Sequence, residues 1–356
     1  MNILRDPEPD AVLVTGGAGF IGCNLAHRLA ASGRRVLILD NLSRAGVERN
    51  LAWLQATHGD RIDAVVADLR DRAVVDACVA RAQAIFHLAA QVAVTTSLDD
   101  PAADFAVNAG GTLNLLEAIR ARGDRPPLVF TSTNKVYGKL PGIRFVTHGE
   151  RYVPHDARLA ARGVTEAQPL NFVSPYGCSK GAADQYVLDY ARTFGLPATV
   201  FRMSCIYGPH QFGTEDQGWV AHFLKRVLAG DPITLYGDGR QVRDVLYVDD
   251  LVDALLLAAE RITALQGDAV NIGGGPENAT SLHELLDRLP RLIGRKPVVR
   301  YAEWRPGDQP WYVSDTGLCT TRIGWRPRVG IDEGLGRLAR WLGATAPAPA
   351  AHRVAS

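Results

Sequence analysis

The sequence predicts a doubly wound α/β fold: a parallel sheet covered by helices on both faces, with a smaller C-terminal α/β lobe closing over the sheet's ligand edge. Three observations predict it. Apolar runs of strand length alternate with longer helical patterns through the first two thirds of the chain. A glycine triplet directly follows the first of those runs. Past Met203 the texture changes to shorter elements richer in Gly and Pro. With 356 residues and 47% hydrophobic content, the chain can bury a core of this size.

The elements follow in order. AVLVT (11–15), RVLILD (35–40), IDAVVAD (62–68), AIFHLA (84–89) and PLVFTS (127–132) are nearly continuous in apolar character, as strands buried on both faces are. Helical patterns span 21–33 and about 102–120, and ATVFRM (198–203) reads as a further central strand. Beyond it, 216–229 and 248–262 read as helices and 269–272 as a strand. Ser281 and Glu284 form a capping-box pattern ahead of a helix through Ile293. These elements divide the chain into a dinucleotide-binding domain at 10–208, with a returning segment at 236–275, and a substrate lobe at 209–235 and 276–342. The last stretch, 343–356, offers nothing to bury and is expected to be disordered.

A formal net charge of +1 provides no global field toward nucleic acid or a membrane surface. The N-terminal MNILRDPEPD lacks the apolar stretch of a signal peptide or anchor, and no run approaches a bilayer span. Cys23, Cys78, Cys178, Cys205 and Cys319 are scattered, without the close pairs of metal or redox sites. A reduced, cytoplasmic chain without metal is the expectation.

In VTGGAGFIG, Gly16, Gly19 and Gly22 stand between the first strand and the first helix. The first can make the tight turn, the second admits a pyrophosphate to the backbone, and the third lets helix and strand pack closely. Asp40 ends the next strand, where a carboxylate accepts hydrogen bonds from ribose hydroxyls and repels a 2′-phosphate; this favours NAD, although Arg44 stands nearby. Asp68 ends the third strand and is read either as an adenine contact or as a helix cap. Phe20, Ile21, Asn41, Ser43, Leu69, Leu88, Ala89, Ala90 and Gln91 complete the expected cofactor-binding set beside those positions.

Tyr176 and Lys180 are four residues apart, on one face of a helix. A free phenol has a pKa of about 10, too high for a base at neutral pH, and a neighbouring ammonium favours the phenolate. Thr133, at a strand end, offers a second hydroxyl to steady it. His87 follows buried-strand residues and reads as a satisfied core histidine.

Together the glycine triplet, His87-Leu-Ala-Ala, TSTNKVYG (131–138), the Tyr-x-x-x-Lys pair and RDVLYVDD (243–250) resemble the extended short-chain dehydrogenase/reductase family, over about residues 12–341. The resemblance implies a Rossmann-type fold and a catalytic triad of Thr133, Tyr176 and Lys180, with Lys180 also on the nicotinamide ribose. Asn108 matches a position that maintains active-site geometry. Arg243 falls at the family's diphosphate-binding position, and Arg305, in RPGDQ, is a second candidate.

Family members that act as dehydratases usually carry Asp-Glu right after the catalytic Thr; here Asn134 and Lys135 stand there. The blocks at 132–138, 174–196, 206–220 and 237–250 are similar to the CDP-sugar 2-epimerases of the family. That likeness implies inversion at C2 of a nucleotide-diphosphate sugar, a CDP-sugar favoured, through a 2-keto intermediate. Asn134, Ser204, Cys205, His210, Gln217, Arg243 and Arg305 are the expected substrate-binding residues, and Trp219 is read either as part of that roof or as packing. An NDP-hexose 4-epimerase and a non-catalytic NAD-sensing scaffold are the alternatives. A homodimer or higher homo-oligomer, paired through the helices around 102–120 and 176–194, is the expected assembly.

Overall fold

The computed structural model describes residues 10–305 and 307–345. From the N-terminus, strands form at Ala11–Thr15 (β1), Val36–Asp40 (β2), Ile62–Val66 (β3), Ala82–His87 (β4) and Leu128–Thr133 (β5). A hairpin follows, Phe145–His148 (β6) and Arg151–Pro154 (β7), then Ala198–Met203 (β8), Cys205–Tyr207 (β9) and Ile233–Tyr236 (β10). Val242–Tyr247 (β11), Ala269–Ile272 (β12), Ala279–Ser281 (β13), Val299–Ala302 (β14) and Trp311–Tyr312 (β15) complete the strands.

Seven strands form one parallel sheet in the order β12-β8-β5-β4-β1-β2-β3. The chain runs outward from β1 to β3, then returns to place β4 on the other side of β1. That reversal opens a crevice at the strands' carboxyl ends. The apolar run in β1 serves two cores. Val12 and Val14 pack with Leu25, Ile38 and Leu255, while Leu13 packs with Leu37, Leu115 and Val187. Alternate side chains of one strand thus enter opposite layers, which is why all five of its residues are buried.

A second assembly centres on β11, which pairs with β9 and β15 in parallel and with β13 antiparallel. Here Val220, Leu224, Leu285, Leu289, Leu335 and Leu338 form a separate core around Tyr207 and Tyr247. The capping box forms at the helix Leu282–Ile293: Glu284 N–H donates to Ser281 Oγ at 3.1 Å and Ser281 N–H to Glu284 Oε2 at 2.9 Å.

Several expectations need correction. The helix expected over 102–120 is Pro101–Phe105, a π-helical turn Ala106–Gly110, then Gly111–Ala121. The widened turn carries Asn108, whose side chain is drawn into a buried hydrogen-bond network. The helix expected from 216 begins at Trp219, because Thr214 and Gln217 close a turn on each other's backbone and Gly218 adopts φ 80°. The helix expected over 248–262 ends at Glu260, and a short turn, Ile262–Leu265, follows it. The final helix, Ile331–Thr345, runs past the expected start of the tail at 343; residues 346–356 lie outside the described residues. No helix among the described residues is long and apolar enough to cross a membrane.

Candidate active site

The carboxyl ends of β1, β2, β4, β5 and β8 open into a cleft of about 960 Å³, walled on the far side by residues 211–219, β10, β11 and the loop around Arg305 and Asp308. One end is shaped for a dinucleotide. Gly16 has φ 69°, and a Cβ there would stand 2.7 Å from the backbone nitrogen of Ala89. At Gly22 a Cβ would stand 2.2 Å from the carbonyl oxygen of Gly16. Only glycine leaves this cradle open. The helix Phe20–Ala31 starts here without a side-chain cap, so its N-terminal dipole points at the cleft.

Asp40 accepts the Ala18 N–H at 3.0 Å and the Leu42 N–H at 2.9 Å, which fixes its carboxylate on the cleft wall beside the glycine turn. Asp68 also lines the cleft. Hydrogen bonds from Arg70, at 2.8 Å, and from Asn41, at 3.0 Å, hold its carboxyl well below the usual range. The cap of the following helix is Asp71, which accepts the N–H groups of Ala73 and Val74, so the cap reading of Asp68 is withdrawn. Phe20, Ile21, Ser43, Arg44, Leu69, Leu88, Ala89, Ala90 and Gln91 all border the same space. Ser132 and Gln91 line the same space, and their buried Oγ and Oε1 have no hydrogen-bond partner among the described residues. The cradle, the acid and these atoms fit a dinucleotide.

Thr133, Tyr176 and Lys180 meet in the middle of the cleft. Tyr176 and Lys180 share one face of the helix Ser174–Thr193, and both are buried. Burial pushes the Tyr176 phenol up to about 12, against a hydrogen bond with Thr133 that favours phenolate. Lys180 Nζ donates to the Thr131 carbonyl at 2.7 Å and lies 4.2 Å from the centre of the Phe130 ring. Burial pulls its pKa down to about 7, opposed by the carboxylates of Asp184 and Asp104. Thr133 favours phenolate through its hydroxyl, and the Lys180 ammonium is anchored on β5.

Two residues of the expected set lie outside the cleft lining. Asn108 is buried behind it: its Oδ1 accepts the Gln91 N–H at 2.9 Å, and its Nδ2 reaches Gln91 O, Asp104 and Ser179 at 3.0–3.2 Å. It ties the end of the β4 loop to the helix carrying Tyr176. His210, expected to touch substrate, is instead turned toward the helix Val47–His58, with its Nδ1 3.1 Å from Asn50 Oδ1 and its ring 4.1 Å from Trp53. It borders a small side cavity next to Phe212, and burial there drives its pKa down to about 4. His87 is buried between the hydroxyls of Thr15, at 2.7 Å, and Thr112, at 2.9 Å, as a satisfied neutral histidine.

Asn134, Ser204, Cys205, Gln217, Arg243 and Arg305 line the other half. The Ser204 hydroxyl is committed to Asp244, and Cys205 Sγ accepts the Trp219 indole N–H at 3.4 Å. Arg243 is buried; its Nη1 donates to the Val242 carbonyl at 2.7 Å, and no carboxylate pairs with it among the described residues. Arg305 stacks 3.7 Å over Tyr236, and its Nη2 lies 3.2 Å from Asp216. Lys135 and Gln241 also line the cleft and were not singled out as binding residues. Both stand inside the blocks at 131–138 and 237–250; what those blocks do not reveal is the reach of the Lys135 side chain to Gly307, 172 positions away.

The cleft joins a dinucleotide-shaped end, a tyrosine–threonine–lysine group and a half lined by a buried arginine, the arrangement of an enzyme. Residues 12–273 match the NAD dependent epimerase/dehydratase family, and the chain belongs to it. It is an NAD-dependent enzyme of the nucleotide-sugar epimerase/dehydratase kind. It is 41% identical to CDP-paratose 2-epimerase of Salmonella typhi over 342 residues, covering 93% of this chain and 98% of that one. It is 34% identical to UDP-glucose 4-epimerase of Mycolicibacterium smegmatis, covering 91% of this chain and 96% of the relative. The solved UDP-glucose 4-epimerase of Thermus thermophilus, in complex with NAD, superposes with a TM-score of 0.79 at 35% identity, over 94% of this chain and all of that one.

Proposed function

We propose that the enzyme inverts C2 of a CDP-linked sugar. The observation that carries this reading is the 41% identity to a CDP-paratose 2-epimerase across nearly both whole chains, against 34% for a 4-epimerase and 33% for the dTDP-glucose 4,6-dehydratase of Xanthomonas campestris. The residues after Thr133 support it. Relatives that eliminate water usually carry an Asp-Glu pair there as acid and base, and Asn134 and Lys135 supply no carboxyl group. Epimerisation needs neither.

When bound, NAD supplies a reversible acceptor for the hydrogen on the sugar carbon. The chain supplies the rest. Tyr176 Oη removes the proton of the C2 hydroxyl, and Thr133 holds the phenolic oxygen while its charge changes. Lys180, fixed on the Thr131 carbonyl, keeps a positive charge near the site of that change. Tyr176 then returns the proton once the 2-keto sugar has presented its other face. Asp40 takes the adenosine ribose, and Arg243 takes the diphosphate. Residues 209–235 and 276–342 act as the sugar-reading lobe. Two copies pair through the helices that expose Phe105, Tyr186 and Phe194, and light scattering tests that pairing.

Incubation with CDP-, UDP-, GDP- and dTDP-sugars in ordinary and deuterated water, read by NMR, tests the reaction. Inversion at C2 with the carbon-bound hydrogen retained is expected. Inversion at C4, or loss of water, overturns the reading.

A further inference from the structure

In the half of the cleft that Asn134 and Cys205 line, two cations have little or no carboxylate within reach, Arg243 and Lys135. Arg243, on β11, has only a backbone carbonyl as its hydrogen-bond acceptor and no carboxylate partner among the described residues. Lys135 follows the end of β5, two residues after Thr133, and its N–H donates to the Thr133 hydroxyl at 3.2 Å. Its side chain reaches across the cleft to the loop after Arg305, where Nζ lies 3.4 Å from the Gly307 carbonyl and 3.9 Å from Asp308 Oδ1. Both lysine and aspartate line the cleft. Arg305 differs from them, because Asp216 at 3.2 Å, the Glu215 carbonyl at 2.9 Å and the Tyr236 ring already engage its guanidinium.

We propose that Lys135 is a substrate-binding residue, forming with Arg243 a two-cation seat for the sugar-proximal phosphate of the nucleotide-diphosphate substrate. The placement follows from the chain. Thr133 marks the reacting sugar, Arg243 the diphosphate, and Lys135 is anchored beside the first and lines the same half of the cleft as the second. Burial and the neighbouring Arg243 pull the lysine's pKa down to about 8, the direction expected of a cation short of counter-charge. A diphosphate between the two would supply that charge. Asp308 and the Gly307 carbonyl hold the ammonium across the cleft, and these two residues thereby become part of substrate recognition.

This rests on the nucleotide-sugar reading, but its test requires no turnover. CDP, CMP, UDP and UMP are titrated into the NAD-loaded protein by calorimetry, for the wild type, Lys135→Met and Lys135→Arg. The Met variant is expected to bind the diphosphates about tenfold or more weakly, as befits a lost charge-assisted contact, and the monophosphates within about twofold of the wild type. The Arg variant should keep most of the diphosphate affinity. Equal weakening of mono- and diphosphate, unchanged diphosphate affinity in the Met variant, or no diphosphate binding by the wild type each overturns the assignment. If C2 inversion fails while the diphosphate effect holds, the reaction is at fault and the phosphate seat stands.

Discussion

Lys180 Nζ donates to the carbonyl oxygen of Thr131 at 2.7 Å, so the ammonium is anchored on the strand that ends in Thr133. The bond spans 49 residues and joins helix to sheet at the reacting centre. It makes the distance between Tyr176 and Thr133 a property of the fold, since both ends of the arrangement are pinned to β5.

Tyr176→Phe should lower kcat by about 10²–10⁴-fold, the usual contribution of a positioned acid–base group. The ring stays buried and the helix is unaltered. NAD content and melting temperature should therefore match the wild type. Activity within about tenfold of the wild type would remove the tyrosine from the chemistry.

His87 makes the fold acid-labile. Burial lowers its pKa from 6.5 to about 3, with Lys180 adding to the shift. Between those values the unfolded chain binds a proton that the folded chain refuses. Stability from this group is thus intact above pH 6.5 and is lost as pH falls toward 3, on the order of 5 kcal/mol in all. Chemical denaturation of the wild type and His87→Gln at a series of pH values should show a steeper acid slope in the wild type.

Gly22→Ala should release the cofactor. The new methyl would meet the Gly16 carbonyl and the Gly17 Cα, both backbone atoms that cannot swing aside. A cost of about 1–3 kcal/mol in stability is expected from such overpacking. The purified variant should carry little NAD, as read by absorbance after acid release.

Arg202 and Asp184 form a two-point ion pair with both hydrogen bonds at 2.9 Å, deep beneath the site. Their side chains are 6% and 0% exposed. Arg202→Met leaves a carboxylate buried without its partner and should cost about 3–5 kcal/mol in urea unfolding. The double variant Arg202→Met with Asp184→Leu should recover part of that loss; a double variant no better than the single would show the pair to be energetically incidental.

The central sheet was legible because most of its strands are nearly continuous in apolar residues, a pattern that few other elements share. Ala269–Ile272 and Leu282–Ile293 have the bounds their sequence suggests, one set by a run of apolar residues and the other by a capping box. The π-helical turn at Ala106–Gly110 was hidden, since its cause is a buried side chain reaching residues 17 and 71 positions away. The hairpin β6–β7 was hidden for a related reason: Tyr152 N–H bonds to the Arg240 carbonyl, and the strands are too short to announce themselves. Lys135 stands in the contiguous 131–138 motif, but the reach of its side chain to Gly307, 172 positions further on, was not legible there. The misplacement of His210 has the same origin. A motif predicts what a residue neighbours along the chain, and its ring turned toward Trp53 instead.

Strand β11 passes without interruption into the helix Val248–Glu260. Val245 and Tyr247 belong to the outer core, whereas Val248, Leu251 and Leu255 belong to the core beneath the central sheet. Arg243, in the cleft, thus rides on a rigid spar shared by both halves of the protein. A chimaera that grafted another relative's outer half onto this one would sever that spar and expose two cores at once. Redirecting the enzyme toward a different sugar is better attempted at exposed cleft residues such as Glu215 and Asp216, which belong to neither interior.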